Sequence, residues 1–264
     1  MQNLLMLCAV LPLIPLIWGF FVEPQRLKVK TYHVACSELK GLKVVFASDF
    51  HIGVNEQKRL DKIVELINAQ EADIVFLGGD YVCGHLPERS MKISEIGKSL
   101  SRIKAPLGIY AVMGNHDSYY GLQTVRTVLK HNGIWIFANS GLELGFNNKK
   151  FYVGGVEDLK TGTPNLSRTL QNAQEPIILL SHSPDIFAEV PDNVVLTLAG
   201  HTHGGQIYIP FLGAPIANSR FGQKYLRGHI REGKKNMIVS VGLGTSVLPI
   251  RFFATPEIVV IKFE

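Results

Sequence analysis

The sequence predicts an α/β fold in which one layered domain follows an apolar N-terminal segment. Short, continuously apolar runs of the kind that form strands buried on both faces recur along the chain. Amphipathic stretches at helical spacing separate the first of these runs. The length of 264 residues, 46% hydrophobic and 19% charged, fits one such domain and excludes a disordered, collagen-like or coiled-coil chain.

The first element is an apolar segment, Leu4 to Val22, that contains no charged residue. Because a membrane-spanning helix needs about 20 such residues, we interpret residues 1–23 as a hydrophobic anchor helix and residues 24–264 as the folded domain. Pro12 and Pro15 would kink this helix, which membrane helices tolerate. A cleaved signal peptide is disfavoured because no Lys or Arg precedes the run and no small-residue cleavage site follows it. A buried core helix is the remaining alternative.

Basic residues directly after this segment predict its orientation. An excess of Lys and Arg marks the cytoplasmic flank of a membrane segment. We therefore expect a membrane-associated protein whose catalytic domain faces the cytoplasm, with an exported domain as the alternative. The basic residues are Arg26, Lys28, Lys30, Lys40 and Lys43.

The predicted strands alternate with helical patterns in the first half of the chain. This order indicates βαβ units and a parallel or mixed sheet. The strands are Lys43–Ser48, Asp73–Leu77, Ile109–Met113, Ile177–Ser181 and Val194–Ala199, followed by strand patterns at Gln206–Ile209, Met237–Val241 and Ile258–Phe263. Apolar stripes at helical spacing run from Leu60 to Ile67, from Ile93 to Ile103 and from Leu122 to Leu129. The segment Pro210–Gly233 is predicted to be a long basic loop, a feature that is often functional.

A polar cluster follows each of the first five strands. In open α/β sheets the ligand crevice lies outside the carboxyl ends of the strands, so we expect these clusters to meet at one edge. The clusters are Asp49-Phe50-His51, Gly78-Gly79-Asp80, Gly114-Asn115-His116-Asp117, Ser181-His182 and Gly200-His201-Thr202-His203.

Carboxylates and imidazoles in this number are ligands for borderline divalent metals such as Mn, Fe, Co or Zn. Seven or eight ligands exceed the need of one metal that keeps positions open for water and substrate. They suit two metals that share a bridging carboxylate about 3.5–4 Å apart, as in many phosphatases and nucleases. A single His after a strand would more often be a hydrogen-bonded loop residue, but the joint occurrence of all five clusters makes coincidence a poor explanation.

These clusters, in this order, resemble those of the calcineurin-like metallophosphoesterase superfamily. The resemblance extends from about Leu42 to Phe263, and within the superfamily the chain is similar to the membrane-associated YkuE/YaeI-like phosphodiesterase branch. It implies a four-layer fold, a mixed β-sandwich flanked by helices. The motifs that carry it are Gly78–Val82, Gly114–Gly121, Gly154–Leu159, Ser181–Asp185, Gly200–Gln206 and Gly242–Phe252.

The resemblance also implies a role for each residue of the clusters. It implies two divalent metal ions per chain, with Mn, Fe and Zn as the candidates, and a catalytic imidazole at His116 that Asp117 orients. One metal would be held by Asp49, His51, Asp80 and His203. The other would be held by Asp80, which bridges, and by Asn115, His182 and His201.

The function implied is hydrolysis of phosphate esters, most of all phosphodiester or phosphoanhydride bonds. A metal-activated hydroxide would attack in line, and His116 would assist the leaving group. A second hypothesis for the enzymatic activity is a nucleotide diphosphate-lipid pyrophosphatase of the UDP-2,3-diacylglucosamine hydrolase type. A hypothesis of a different functional class is a non-catalytic metal-binding scaffold. It is disfavoured because every residue expected to bind a metal is present in this sequence.

Four residues near the clusters are candidates for contacts with the substrate. Tyr119 and Tyr120 are candidates to stack on a base or sugar, and Arg220 and Arg227 are candidates to bind a second phosphate. An anchor next to such a site makes a lipid-linked phosphate ester a candidate substrate. We expect no specific nucleic-acid binding, because the net charge of +5 is mild and no nucleic-acid-binding motif occurs. We expect a monomer.

Overall fold

Two six-stranded mixed sheets pack face to face in the computed structural model, which describes residues 13–264. The strands of this part of the chain are β1 (Lys28–Val34), β2 (Lys43–Ala47), β3 (Ile74–Leu77), β4 (Ile109–Ala111), β5 (Trp135–Ile136), β6 (Ser140–Phe146), β7 (Lys149–Gly155), β8 (Ile177–Leu180), β9 (Val194–Ala199), β10 (Gly228–Glu232), β11 (Lys235–Val239) and β12 (Glu257–Phe263). The mixed sandwich predicted from the sequence is confirmed.

The first five strands of the chain and the C-terminal strand β12 build the first sheet, in the order β1-β12-β2-β3-β4-β5. β2 to β5 are parallel, and β12 pairs antiparallel to β2. The second sheet has the order β10-β11-β9-β8-β7-β6, in which β7, β8, β9 and β11 are parallel. Each sheet therefore presents a row of parallel carboxyl ends at one edge.

The continuous apolar runs of the central strands follow from burial on both faces. In β2, Val44 and Phe46 point into the layer between the sheets, whereas Val45 and Ala47 pack under the helices of the first sheet. Successive side chains of a strand point to opposite faces, so a strand covered on both sides needs apolar residues at every position.

Three helices cover the outer face of the first sheet. They are α2 (Gln57–Asn68), α3 (Ile93–Leu100) and α4 (Asn115–His131); two short helices, α1 (Leu13–Ile17) and α5 (Leu166–Thr169), lie elsewhere. The predicted stripe between Leu60 and Ile67 is buried against the sheet as α2. The helical patterns of the first half of the sequence are thus confirmed, although α4 begins seven residues earlier than the pattern indicated.

The outer face of the second sheet differs from the prediction of flanking helices. A 3₁₀ segment, Pro184–Ala188, and loop residues cover it, with Ile186, Phe187 and Tyr225 packed on β8, β9 and β11. Among the described residues, the one α-helix next to this face is α5, which is four residues long. The cover is irregular because the connections on this side carry Pro and Gly in place of a helical stripe.

Two predicted elements of the second half are wrong in detail. Gln206–Ile209 forms isolated bridges to Phe252 and Gly213 and is not a strand. The predicted loop Pro210–Gly233 contains a 3₁₀ turn, Gly222–Tyr225, and the whole of β10. β10 is an edge strand of the second sheet, and most of its residues are polar. It therefore lacks the continuous apolar run that marks a central strand.

The predicted anchor lies only partly within the described residues, because residues 1–12 are outside them. From Leu13 the chain forms α1, then a π-helical turn at Trp18–Val22 and a 3₁₀ turn at Glu23–Gln25. Between residues 13 and 264, no helix combines the length and the apolar character that crossing a bilayer requires.

Candidate metal centre

Strand ends from both sheets bring the predicted ligands to one place. Each predicted ligand side chain is buried. In the first sheet, Asp49 and His51 follow β2, Asp80 follows β3 and Asn115 follows β4; in the second sheet, His182 follows β8 and His201 and His203 follow β9. The five clusters therefore lie together at one edge, as expected from the sequence.

The donor atoms form three overlapping groups whose members lie within 4.8 Å of one another. The Nε2 atom of His182 is 3.2 Å from Oδ2 of Asp80, and Nε2 of His51 is 3.5 Å from the same oxygen. Asp80 thus faces both halves of the centre, as a bridging ligand would. The groups are Asp49-His51-His203, His51-Asp80-His116 and Asp80-His182-His201.

The backbone at these positions is unusual. Five of the ligand candidates have a left-handed conformation that residues other than glycine rarely adopt. Such conformations cost free energy and persist where the surrounding structure enforces them, often at functional sites. The five are Asp49 (φ 54°), His51 (φ 42°), Asp80 (φ 56°), His201 (φ 69°) and His203 (φ 52°).

Burial keeps most of the imidazoles neutral. It lowers the pKa of His51 and that of His201 to about 3, and it lowers the pKa of His203 well below the ordinary value. A neutral imidazole has a free lone pair, which is the form that binds a metal. These three rings are therefore ready to act as ligands at neutral pH.

The buried carboxylates Asp49 and Asp80 need a nearby positive charge to stay ionised. Burial raises the pKa of Asp49 to about 6. Burial also opposes ionisation of Asp80 and protonation of His182, yet their mutual attraction lowers the pKa of Asp80 and raises that of His182, each well away from its ordinary value. The proton on His182 thus balances the Asp80 charge, a task that a divalent cation can take over.

Asn115 adds an independent sign that the residues fit a metal. Its Oδ1 atom is buried and accepts no hydrogen bond. A buried amide oxygen without a partner is costly, and it is a suitable ligand for a divalent cation. Next to it, a Cβ atom on Gly114 would lie 2.1 Å from Oδ1 of Asp80 and 2.7 Å from the His182 ring, so the chain can pass here only as glycine.

His116 sits beside the ligand candidates with its ring held by backbone. The Gly84 amide donates to its Nδ1 atom over 3.2 Å, and its Nε2 atom lies 3.4 Å from Oγ of Ser246. With Nδ1 accepting, the neutral ring carries its proton on Nε2, which turns that atom into a donor. A ring nitrogen of His116 also lies within 4.8 Å of donor atoms of His51 and Asp80, so its role as a non-ligand stays a prediction.

The predicted partnership between Asp117 and the His116 ring is wrong. The Asp117 carboxylate accepts hydrogen bonds from the backbone amides of Asp80, Tyr81 and Gly114, at 2.8, 2.9 and 2.9 Å. Asp117 is the third residue of α4, so its carboxylate reaches back to the residue before the helix as in a capping box. It therefore ties together the loops that carry Asp80 and Asn115.

The two predicted tyrosines have different surroundings. Tyr119 is exposed, stacks on His85 with ring centroids 4.6 Å apart, and lies 5.9 Å from the His116 ring. Tyr120 is partly buried and packs against the core under the first sheet. Tyr119 is thus placed at the centre, and Tyr120 is not.

The two predicted arginines also separate. Arg220 lines a cleft of about 660 Å³ that opens beside His201, together with Lys160. Arg227 stacks over Tyr208, with its guanidinium carbon 3.6 Å from the ring centre, and donates to the Phe253 carbonyl over 2.7 Å. It therefore joins two loops and is absent from the residues that line this cleft.

Sequence reasoning gave no role to several residues next to the centre. Arg251 is fully buried, and its guanidinium lies 3.4 Å from Nδ1 of His203. Burial lowers its pKa to about 9, so it remains a cation. The same holds for two residues at the His116 ring, Gly84 and Ser246, and for Lys160 at the cleft. Arg251 and Ser246 lie in the segment Gly242–Phe252, one of the motifs that carry the family resemblance, but only the folded chain shows which of its residues face the centre.

The family comparison and the relatives agree with this geometry. A model of the family described as calcineurin-like phosphoesterase matches residues 42–205, more than half of the chain. The uncharacterized metallophosphoesterase YkuE of Bacillus subtilis is 30% identical over 254 residues, which cover 92% of this chain and 88% of that protein. The phosphodiesterase YaeI of Escherichia coli is 28% identical over 225 residues, which cover 83% of this chain and 81% of that protein.

Solved structures show similarity in fold alone. The NAD nucleotidase NadN of Haemophilus influenzae aligns with a TM-score of 0.51 and 14% identity, over 76% of this chain and 45% of that one. A putative 5′-nucleotidase of Staphylococcus aureus aligns with a TM-score of 0.50 and 14% identity, over 77% of this chain and 49% of that one. This chain therefore spans about half the length of these two proteins.

Proposed function

Because this chain belongs to the calcineurin-like phosphoesterase family and is a phosphoester hydrolase, we propose that it cleaves phosphodiester or phosphoanhydride bonds at the carboxylates and imidazoles clustered at the sheet edge. The observation that carries the proposal is Asp80, whose carboxylate lies within 3.5 Å of imidazoles from both halves of the centre. The phosphodiesterase YaeI among the relatives supports a diester as substrate.

Two divalent cations fit the donor set, and we assign one to Asp49, His51, Asp80 and His203 and the other to Asp80, Asn115, His182 and His201. When bound, they supply Lewis acidity toward phosphoryl oxygens and lower the pKa of an attacking water. Mn, Fe and Zn are the candidate metals, because imidazole and carboxylate ligands suit all three.

The chain's own groups complete the reaction. We assign to the Nε2–H group of His116 a hydrogen bond to the leaving oxygen, which develops negative charge as its bond to phosphorus breaks; the Gly84 amide at Nδ1 supports this tautomer. Lys160 and Arg220, at the cleft beside His201, supply positive charge where the remainder of a phosphate ester would lie. Tyr119, stacked on His85, offers an aromatic surface on the side of His116.

Two variants test this proposal. His116→Ala is expected to retain bound metal and to lose about 10²–10⁴-fold in turnover of bis(p-nitrophenyl) phosphate, because it removes only the donor. Asp80→Ala is expected to lose both metal and turnover, because both halves of the centre share this residue. Elemental analysis of the purified proteins provides the metal content. His131→Ala, at the exposed end of α4, is the control and should behave as the wild type. Unchanged turnover in His116→Ala would contradict the role of this ring.

We also propose that the protein is membrane-associated through its apolar N-terminal segment, with the catalytic domain on the cytoplasmic side. The absence of charged residues before Glu23 and the basic residues after it support this proposal. Fractionation of cells followed by protease treatment of intact spheroplasts tests it. Protection of the domain is expected, and cleavage by external protease would place it on the other face.

A further inference from the structure

Two loops beside the metal centre carry apolar side chains that the fold leaves in water. We call these side chains the apolar rim: Phe211, Leu212 and Ile216 on the first loop, and Val247, Leu248 and Phe253 on the second. Phe211 is 106% and Val247 90% exposed, and the other four are between 54% and 77% exposed. A cluster of exposed large apolar residues marks an interaction surface, because single ones are common and groups are not.

Backbone and side-chain contacts hold the two loops side by side. The Tyr208 amide donates to the Phe252 carbonyl over 2.8 Å. The Gln206 side chain bridges the loops, since it accepts from the Ser246 amide and donates to the Leu248 carbonyl. The apolar rim is therefore one surface with a fixed arrangement.

The apolar rim borders the metal centre. A groove of about 260 Å³ runs between the loops, and its lining includes His203, Ser246, Val247 and Leu248. Ser246 in turn lies 3.4 Å from the His116 ring. A binding partner that covers the rim would therefore have its surface groups next to the imidazoles of the centre.

The N-terminal segment packs on the same loops. The Arg251 amide donates to the Gly19 carbonyl over 2.9 Å, and the Glu23 carboxylate accepts from the Phe253 amide over 3.0 Å. Phe21 in this segment is 73% exposed, and Ile14 and Ile17 are more than half exposed. Residues 1–12, which precede the described chain, contain no charged residue. The apolar rim thus lies next to the described part of the N-terminal segment, and the sequence before that part is apolar as well.

The distribution of charged residues around this surface distinguishes a bilayer from a soluble protein as its binding partner. Residues 204–219 contain no Asp, Glu, Lys or Arg, and residues 240–256 contain only Arg251, which is buried. A soluble protein partner would usually be met by a rim of charged and polar groups, whereas a bilayer interior excludes charge. The nearest basic residues after the first loop in sequence, Arg220 and Lys224, are exposed and pair with Asp185 and Glu232. Basic side chains that flank an apolar surface are attracted to anionic lipid headgroups.

We propose that the apolar rim inserts into the surface of a phospholipid bilayer and places the metal centre at the headgroup level, so that the ester cleaved is the phosphate ester of a lipid. The inference rests on the proposed hydrolysis of phosphate esters and adds the class of substrate. It differs from anchoring by the N-terminal segment, because it concerns two loops of the folded domain that flank the centre.

Tryptophan substitutions test the insertion in the full chain reconstituted into phosphatidylcholine vesicles. Phe211→Trp and Phe253→Trp place a fluorophore on each loop of the rim. Phe146→Trp is the matched control, because Phe146 pairs with Lys149 at the amino end of β7, away from the carboxyl ends that carry the centre. The emission added by each substitution, relative to the wild type, is measured with ordinary and with brominated lipid.

Bromine in the acyl chains quenches only fluorophores that reach them. We expect the added emission of both rim variants to fall at least about two-fold in brominated lipid, and that of the control to stay unchanged. Unquenched rim variants would overturn the inference, because the N-terminal segment would then hold the domain with its rim in water. If these variants also show a mass that doubles with concentration in sedimentation, the rim is instead an interface between two copies.

A kinetic comparison on the same vesicles separates this inference from the proposed function. Phe211→Asp combined with Leu212→Asp should leave hydrolysis of soluble bis(p-nitrophenyl) phosphate within about two-fold of the wild type. The same variant should lose about tenfold or more on a phosphatidyl p-nitrophenyl ester in the bilayer, because charged residues resist insertion. If the wild type cleaves neither ester, the proposed function fails. If the variant cleaves both as the wild type does, only the rim inference fails.

Discussion

Gly84 shows how one residue without a side chain can position the ring of His116, the proposed catalytic imidazole. Its amide donates to Nδ1 of His116, which leaves the ring proton on the nitrogen that faces the centre. The chain passes so close that a Cβ atom on Gly84 would lie 2.0 Å from the His116 carbonyl oxygen. A backbone amide therefore performs the orienting task that the sequence had suggested for Asp117.

Gly84→Ala should accordingly impair His116 without removing metal. The added methyl group must push residue 84 away from the ring, and we expect a loss of about 10–100-fold in kcat with an unchanged metal content. Gly145→Ala is the control, because its Cβ atom would meet nothing closer than 4.0 Å. Steady-state kinetics and elemental analysis provide the two measurements. Full activity of Gly84→Ala would show that the amide does not position the ring.

Asp117 has a structural role that makes a different prediction. Its carboxylate accepts from three buried backbone amides, and Asn would turn a donor toward one of them. We expect Asp117→Asn to lower the free energy of unfolding by about 1–3 kcal/mol, measured by urea denaturation. Asp192→Asn, at an exposed position, is the control. A variant with wild-type stability but reduced turnover would instead support the partnership with His116.

At the scale of elements, the central strands and the positions of the candidate ligands could be predicted from the sequence, whereas the peripheral elements could not. β2, β3, β8 and β9 are buried on both faces, so hydrophobicity alone marks them. β1 and β6 lie at sheet edges, where the sequences KVKTYHV and SGLELGF consist mostly of exposed or partly buried positions. Their strand conformation depends on pairing with distant segments, which no local pattern records.

The same distinction applies within the site. The ligands follow central strands directly, so their convergence at one edge could be predicted from the strand order. The surroundings of Asp117, Tyr120 and Arg227 depend on which way each side chain points after the chain has turned. Contacts such as Gly84 with His116 join residues 32 positions apart in sequence, and they arise only from tertiary packing.

Glu23 joins the N-terminal segment to the loop beside the centre. This buried carboxylate accepts from the Trp18 indole at 3.0 Å, from the Phe253 and Ala254 amides at 3.0 and 2.8 Å, and from the Thr255 hydroxyl at 3.0 Å. Four donors around one carboxylate explain how a charged residue can be buried at the end of an apolar segment.

Glu23→Ala should therefore destabilise the fold and release the N-terminal segment. With four donors left without their acceptor, we expect the free energy of unfolding to fall by about 2–4 kcal/mol. The Trp18 emission should shift to longer wavelength, because the indole loses its buried partner. Urea denaturation and fluorescence spectra provide the measurements, with Glu88→Ala at an exposed position as the control. Unchanged emission would mean that the segment is held by its apolar contacts alone.

At the scale of the whole molecule, the centre is the place where the two sheets are joined by polar groups. Asp49, His51 and Asp80 come from the first sheet, and His182, His201 and His203 come from the second. The core between the sheets is an apolar layer built by residues such as Phe46, Phe76 and Leu198. Hydrophobic packing thus fixes the distance between two half-sites, neither of which could bind a pair of cations alone.

Metal binding should consequently stabilise the entire fold. A cation held by Asp80 and His182 connects the two sheets in the folded state, and the unfolded chain offers no such site. At a free Mn²⁺ concentration of 100 times the dissociation constant, mass action contributes about 2.7 kcal/mol, which should raise the melting temperature by roughly 5–10 °C. A chelator should reverse the shift. Asp80→Asn should remove most of the stabilisation, and His229→Ala, on β10 away from the centre, should retain it. Equal stabilisation of Asp80→Asn by Mn²⁺ would show that the cation binds elsewhere and that the two half-sites do not cooperate.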